Sequence, residues 1–274
     1  MGLFDFLKSD RQKEIEEAKK RIKEYEDTRE EREKKQKEIK EQKAKEFEDK
    51  LNAITKWNIK IDDNFVKKDH EYKEIKYSNI TPKTKKDKLS HFVVIDTETT
   101  GLNYTCGVIE LSGIRFDNYE PTMSFDTFIK PKAKSWKNAE AINHISPEMV
   151  KDSPTIEQVA QSFIEFVGDY DIVGHNLEYD LGILEDKGIV FEGKRNYFDT
   201  LPIAQKHLKK PKTKWNKEFE MYEIDYESDW DVEDHKLETL CDYYEIERND
   251  AHMSDSDCLA DGLVLLEMAD EIIE

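Results

Sequence analysis

The chain of 274 residues carries 43 basic and 62 acidic side chains, a formal net charge of −19. That length accommodates one sizeable domain with additional material, and no run reaches the roughly 18 consecutive apolar residues of a membrane span. The opening MGLFDFLKSD is too short and too acidic for a secretory signal, and Phe6 stands where a myristoylation signal needs Ser or Thr.

Three cysteines, Cys106, Cys241 and Cys258, show no close pairing. This argues against a disulfide scaffold or a zinc site and suits a reducing compartment, so a cytoplasmic location is expected. Residues 1–90 hold 26 basic and 22 acidic side chains, whereas the remainder holds 17 and 40. So acidic a region repels nucleic acid at long range.

Residues 10–56 lack Pro and Gly and consist largely of Glu and Lys, with opposite charges at i,i+4 such as Glu16/Lys20 and Glu41/Lys45. This predicts a long charged helix, single or weakly coiled. A heptad seam at Ile15, Ala18, Ile22 and Tyr25 is interrupted by Arg29, Arg32 and Gln36. Leu3, Phe4, Phe6 and Leu7 form a short apolar stretch that reads equally as a patch for a partner or membrane surface and as a frayed terminus. Residues 57–90 end in TPKTKKDKLS and read as a basic linker, which makes 1–56 a helical extension and 91–274 the main domain.

That domain opens with three predicted strands, 92–97, 107–116 and 122–130, the last two joined by the turn DNYEP. Thr155 starts a helix with apolar positions at Ile156, Val159, Phe163 and Phe166. DIVGHN is a short buried strand followed by the helix EYDLGILEDKG, and further helices are expected near 199–208, 236–245 and 255–273. The alternation predicts an α/β fold. Residues 211–234 interrupt it as an insertion without clear periodicity, with nine acids between Glu218 and Asp234 and several aromatics. Such a loop is functional or disordered, and its aromatics favour a lid or a protein-partner surface.

VVIDTETTGL places Asp96 and Glu98 one residue apart, so both project from the same face of a strand. Asp180 falls near the start of the helix after DIVGHN. With Ser254 as N-cap, Asp257 occupies the first helical turn and His252 the entering loop. Four carboxylates share a small volume when divalent cations neutralise them, and such hard oxygen ligands suit Mg²⁺ or Mn²⁺. Two such ions clamp the attacking and departing oxygens of a phosphodiester, with a histidine taking the proton from water. Singly, each residue has a plainer reading: a solvated strand edge for Asp96 and Glu98, helix-start acids for Asp180 and Asp257, and a capping or surface histidine for His252.

In this order, VVIDTETTGL, VGHNLEYDLGIL and AHMSDSDCLA resemble the three motifs of the DEDDh 3′→5′ exonucleases, which have the ribonuclease-H-like fold. The epsilon proofreading subunits of bacterial DNA polymerase III are the members they resemble most. INHISPEMVKDSPTIEQV, FDTLPIAQ and HKLETLCDYYEIE resemble the segments between those motifs, so the resemblance covers about 91–274 apart from the insertion.

The resemblance implies a mixed sheet flanked by helices, with Asp96, Glu98, Asp180 and Asp257 holding two Mg²⁺ or Mn²⁺ ions and His252 as general base. A sister group has tyrosine four positions before the last aspartate; here that position is Met253. Thr99, Gly101 and Leu102 would meet the terminal nucleotide, and His144 and Tyr179 would line its pocket. His144 lies in Asn-His-Ile, a departure from the histidine–glycine–isoleucine of the family. Asp199 is expected as a structural cap. The implied activity releases nucleoside 5′-monophosphates from single-stranded DNA 3′ ends. RNA ends are the near alternative, and a vestigial interaction scaffold the distant one. The acidic charge is answered by bound cations, by the local cluster KHLKKPKTK at 206–214, and by stacking of a few terminal bases.

Overall fold

The computed structural model describes residue 29 and residues 31–67, 75–248 and 253–273. The chain divides into two compact units, Met1–Glu46 and Phe47–Glu274. Residues 31–53 are helical (α1), as the Glu/Lys pattern predicts. Exposed i,i+4 pairs line the helix, Arg29–Glu33, Lys34–Glu38 and Lys37–Glu41, and such pairs are weak and screened by salt. The apolar stretch Leu3–Leu7 and the seam from Ile15 to Tyr25 lie outside the described residues.

The second unit is built on a six-stranded mixed sheet. Its strands are β1 (Thr55–Lys56), β2 (His91–Thr99), β3 (Val108–Asp117), β4 (Glu120–Phe128), β5 (Asp171–Gly174) and β6 (Tyr197–Asp199), in the spatial order β1-β4-β3-β2-β5-β6. The central strands β2, β3 and β4 run antiparallel, while β5 and β6 extend the sheet in parallel from β2. Asn118 and Tyr119 both have positive φ, 52° and 71°, so the expected β3–β4 turn has the two-residue geometry that matches strand twist.

Alternation along β2 assigns its two faces. Phe92 and Val94 join the core cluster of the final helix, α7 (Ser254–Ile273), whereas Val93 and Ile95 join the cluster of α3 (Ile156–Val167) and α4 (Leu177–Asp186). A strand covered on both faces is expected to be continuously apolar, and VVI is. Gly262 lets α7 approach closely: a Cβ there would lie 2.3 Å from the Phe116 ring. Helix α3 begins with the Thr155 amide donating to Gln158 Oε1 at 2.9 Å, one half of a capping box.

Helices α5 (Thr200–His207) and α6 (Leu237–Tyr243) lie where the sequence predicts them; β1, α2 (Lys137–Asn143) and β6 are additional, and β1 closes, as a strand, the stretch expected to be helical to residue 56. Residues 57–90 differ from the linker expectation. Trp57, Ile59, Phe65, Ile75 and Tyr77 pack against the α3/α4 core, and Ile80 is buried in the other cluster. Their apolar groups are interleaved with lysines, which masks the pattern.

The acidic insertion holds a hairpin, β7 (Lys212–Asn216) and β8 (Met221–Asp225). One face pairs Lys212 with Asp225 and Lys214 with Glu223; the other pairs Thr213 with Ile224 and Trp215 with Tyr222. Trp215, Tyr222 and Ile224 are exposed, so alternation here separates charge from exposed aromatics rather than core from solvent. No helix among the described residues is long and apolar enough to cross a membrane.

Candidate active site

The row Phe92–Val94 continues along β2 as Asp96 and Glu98, so both acids point toward α7. Helix α7 brings Asp257 to them. One carboxylate oxygen each from Asp96, Glu98 and Asp257 lies within 4.8 Å of the others, and all three residues are partly buried.

Two hydrogen bonds seat the start of α7. The Ser254 amide donates to Glu110 Oε2 at 3.1 Å, and the Ser254 hydroxyl donates to Asp96 Oδ2 at 2.7 Å. Glu110 lies on β3 directly across from Glu98. Ser254 is therefore not the N-cap: the Asp257 amide donates to the Met253 carbonyl at 2.9 Å, which makes Met253 the cap and Ser254 the first helical residue.

The intervening side chains of β2 serve the other face. Asp180, buried on α4, accepts at Oδ1 from both the Thr97 amide (2.9 Å) and the Thr97 hydroxyl (2.6 Å). It lies outside the three-acid group but close enough for the charge of Asp96 to matter. The Tyr179 hydroxyl donates to the Gly101 carbonyl at 2.7 Å and lies 3.0 Å from Thr99 Oγ1; Thr99 Oγ1 also donates to that carbonyl at 2.6 Å. These bonds fix the loop after β2, leaving Leu102 89% exposed at its tip. The missing side chain of Gly101 makes room for Cys106, whose Sγ would be 3.0 Å from a Cβ.

Two residues escaped the sequence reading. Asn143 Nδ2 donates to Glu98 Oε2 at 3.1 Å, while Asn143 Oδ1 accepts from the Ile145 amide at 3.2 Å. Asn143 thus occupies the place expected of its neighbour. His144 is exposed at the C-cap of α2, with left-handed φ of 58°. Tyr104 packs on Gly182 of α4, where a Cβ would approach its ring to 2.6 Å, and its ring centroid is 6.0 Å from that of Tyr179. A cavity of about 430 Å³, lined by Tyr77, Tyr104, Glu178 and Leu181 among others, opens beside it. The available signals were two polar residues, Asn143 and His144, between two isoleucines, and a glycine inside a helix. Asp199 caps as expected, accepting from the amides of Leu201, Asn176 and Leu177. His252 lies outside the described residues.

Electrostatics make the acid group costly without cations. Burial, then the charge of Asp96, pushes Glu98 up to about 8. Burial also raises Asp96, opposed by the Ser254 hydroxyl, and burial together with Asp96 holds Asp180 well above the carboxylate range. Glu110 is pushed up to about 9 by burial and then by Asp126. Three converging carboxylates fit a hard divalent cation such as Mg²⁺ or Mn²⁺, and among the described residues no His or Cys joins the group.

A mixed sheet whose central strand ends in acids, met by helices from both faces, is the ribonuclease-H-like nuclease architecture. Residues 93–265 match the RNase_T exonuclease family, and the chain belongs to that family. It is 28% identical over 188 residues to a DNA polymerase III PolC-type of Caldanaerobacter subterraneus subsp. tengcongensis, covering 67% of this chain and 12% of that one. It is 30% identical over 189 residues to the PolC-type polymerase of Halalkalibacterium halodurans, covering 68% and 12%. The chain thus spans about an eighth of the length of these relatives. Among solved structures it is similar to exonuclease X in complex with 5′-overhanging duplex DNA, with 18% identity, a TM-score of 0.46, and coverage of 66% of this chain and 92% of that one. It is also similar to Escherichia coli exonuclease I in complex with a dT13 oligonucleotide, with 18% identity, a TM-score of 0.49, and coverage of 65% and 40%.

Proposed function

We propose that this chain is a metal-dependent 3′→5′ exonuclease that releases nucleoside 5′-monophosphates from single-stranded DNA ends. The observation that carries the reading is the convergence of Asp96, Glu98 and Asp257 oxygens within 4.8 Å at the end of β2. With Asp180 behind Thr97, these residues are the proposed ligands of two Mg²⁺ or Mn²⁺ ions. When bound, such ions supply Lewis-acid stabilisation of the phosphate and of the oxygens entering and leaving it.

The protein groups hold and position. Asn143 orients Glu98, and Ser254 orients Asp96. Leu102 is the proposed wedge against the terminal base, with Tyr179 and Tyr104 beside it offering the aromatic surface on which a base stacks at little sequence cost. Thr99 and Gly101 shape the loop that would meet the terminal sugar. His252, from its place five residues before Asp257, is the proposed general base that takes the proton from the attacking water. The PolC-type relatives support DNA as the polymer and a proofreading or repair setting. The acidic surface implies modest affinity and strong salt dependence.

The test is digestion of 5′-labelled single-stranded DNA and matched RNA in Mg²⁺, Mn²⁺ or EDTA. A metal-dependent ladder shortening from the 3′ end, faster on DNA, is expected. Asp96→Ala and Asp257→Ala should each lower the rate on the order of 10³-fold or more while leaving the circular dichroism spectrum unchanged. Wild-type rates in a folded Asp96→Ala protein would remove the assignment, and faster cleavage of RNA would replace the polymer.

A further inference from the structure

The three-acid group already has one cation against it. Arg248, at the end of the described connection after α6, forms an ion pair with Asp257, and its side chain is 8% exposed. Its positive charge also acts, more weakly, on Asp96 of β2. A guanidinium carries its charge at any ordinary pH and is less strongly hydrated than an ammonium, so it is suited to a buried carboxylate. Buried acids without a counter-ion are strongly destabilising.

We propose that Arg248 is an internal counter-ion occupying a cation position of the carboxylate group, and that a divalent ion binds by displacing it from Asp257. This inference rests on the metal reading above and adds a step to it. Arg248 is a positioning residue: it keeps Asp96 and Asp257 gathered before metal arrives, and it competes with the ion for the same oxygen. The exchange is favoured because two charges replace one and because the oxygen donors suit a hard cation better than a planar guanidinium. Arg248 lies on an irregular connection rather than within a helix, so its departure breaks no helical hydrogen bond.

The experiment is calorimetric titration of Mn²⁺ into the full chain, as wild type, Arg248→Ala, Arg248→Gln and Arg248→Lys. It is paired with thermal unfolding of each protein in EDTA and in saturating Mn²⁺. Arg248→Ala and Arg248→Gln should bind Mn²⁺ tighter by on the order of tenfold, the scale of one partly buried charge pair, with Arg248→Lys in between. The metal-free forms of the neutral variants should melt below wild type, and Mn²⁺ should close that gap. Unchanged or weaker Mn²⁺ binding in Arg248→Gln, with wild-type binding intact, would overturn the displacement. Wild-type protein that binds no Mn²⁺ would instead overturn the metal reading beneath it. If Arg248→Ala fails to fold, the Gln and Lys variants carry the comparison.

Discussion

Asn143 shows how one side chain holds a proposed metal ligand that it does not replace. Its amide gives Glu98 a donor and its oxygen satisfies the Ile145 backbone, so one residue fixes both an acid and the exit of α2. Asn143→Ala should therefore lower kcat/KM by about 10–100-fold, the usual effect of removing a group that orients a ligand. Asn143→Asp should do worse, because it sets a second negative charge against an acid already raised by burial and by Asp96. Steady-state kinetics alongside circular dichroism would check this, and a fully active, folded Asn143→Ala would rule it out. This residue also marks where sequence reading ran short. Asp96, Glu98 and Asp257 were legible because strand alternation and a helix start dictate where such side chains point. Asn143 acts through a short helix with no apolar periodicity to announce it, and His144 drew the attention that its neighbour warranted.

At the scale of elements, α7 and β2 depend on each other. The site requires α7 to lie flat on the sheet, and Gly262 is the contact that permits it, with Phe116 and Val94 beneath. Gly262→Ala adds a methyl into space already filled and should cost about 1–3 kcal/mol. The same change should lower activity more than stability alone explains, since lifting α7 withdraws Asp257 and loosens the Ser254 bonds. Urea unfolding and metal titration on the same protein would separate the two effects. Strands β2 to β5 and helices α3 to α7 were legible from period and turn signals, whereas β1, α2 and β6 were not. The β7–β8 hairpin was not, because its alternation places aromatics in solvent, where no core rewards them, and 57–90 was obscured by lysines set among its buried residues.

For the whole molecule, the raised carboxyls give stability a defined pH dependence. Glu110 is 1% exposed and pushed up to about 9, whereas the same group in an unfolded chain titrates at 4.5. The folded protein therefore holds a proton that the unfolded chain releases across that interval. Its contribution is full below pH 4.5 and is lost as pH rises toward 9. Asp261 and Glu98, both pushed up to about 8, act in the same direction. In EDTA, the urea midpoint should fall from pH 5 to pH 9, and Glu110→Gln, which keeps an acceptor for Ser254, should flatten the fall. A midpoint that rises with pH over this range would contradict the assignment.

The path by which α7 meets β2 has a consequence for a ribosome making this chain. Ser254 and Asp96, which must bond to seat the last acid, are 158 residues apart in sequence, and slipping β2 by one residue would turn Asp96 and Glu98 to the opposite side of the sheet. A nascent or misregistered chain therefore holds acids without a centre. The proposed nuclease activity therefore waits on the docking of α7, so completion of folding is itself the step that assembles the acid group.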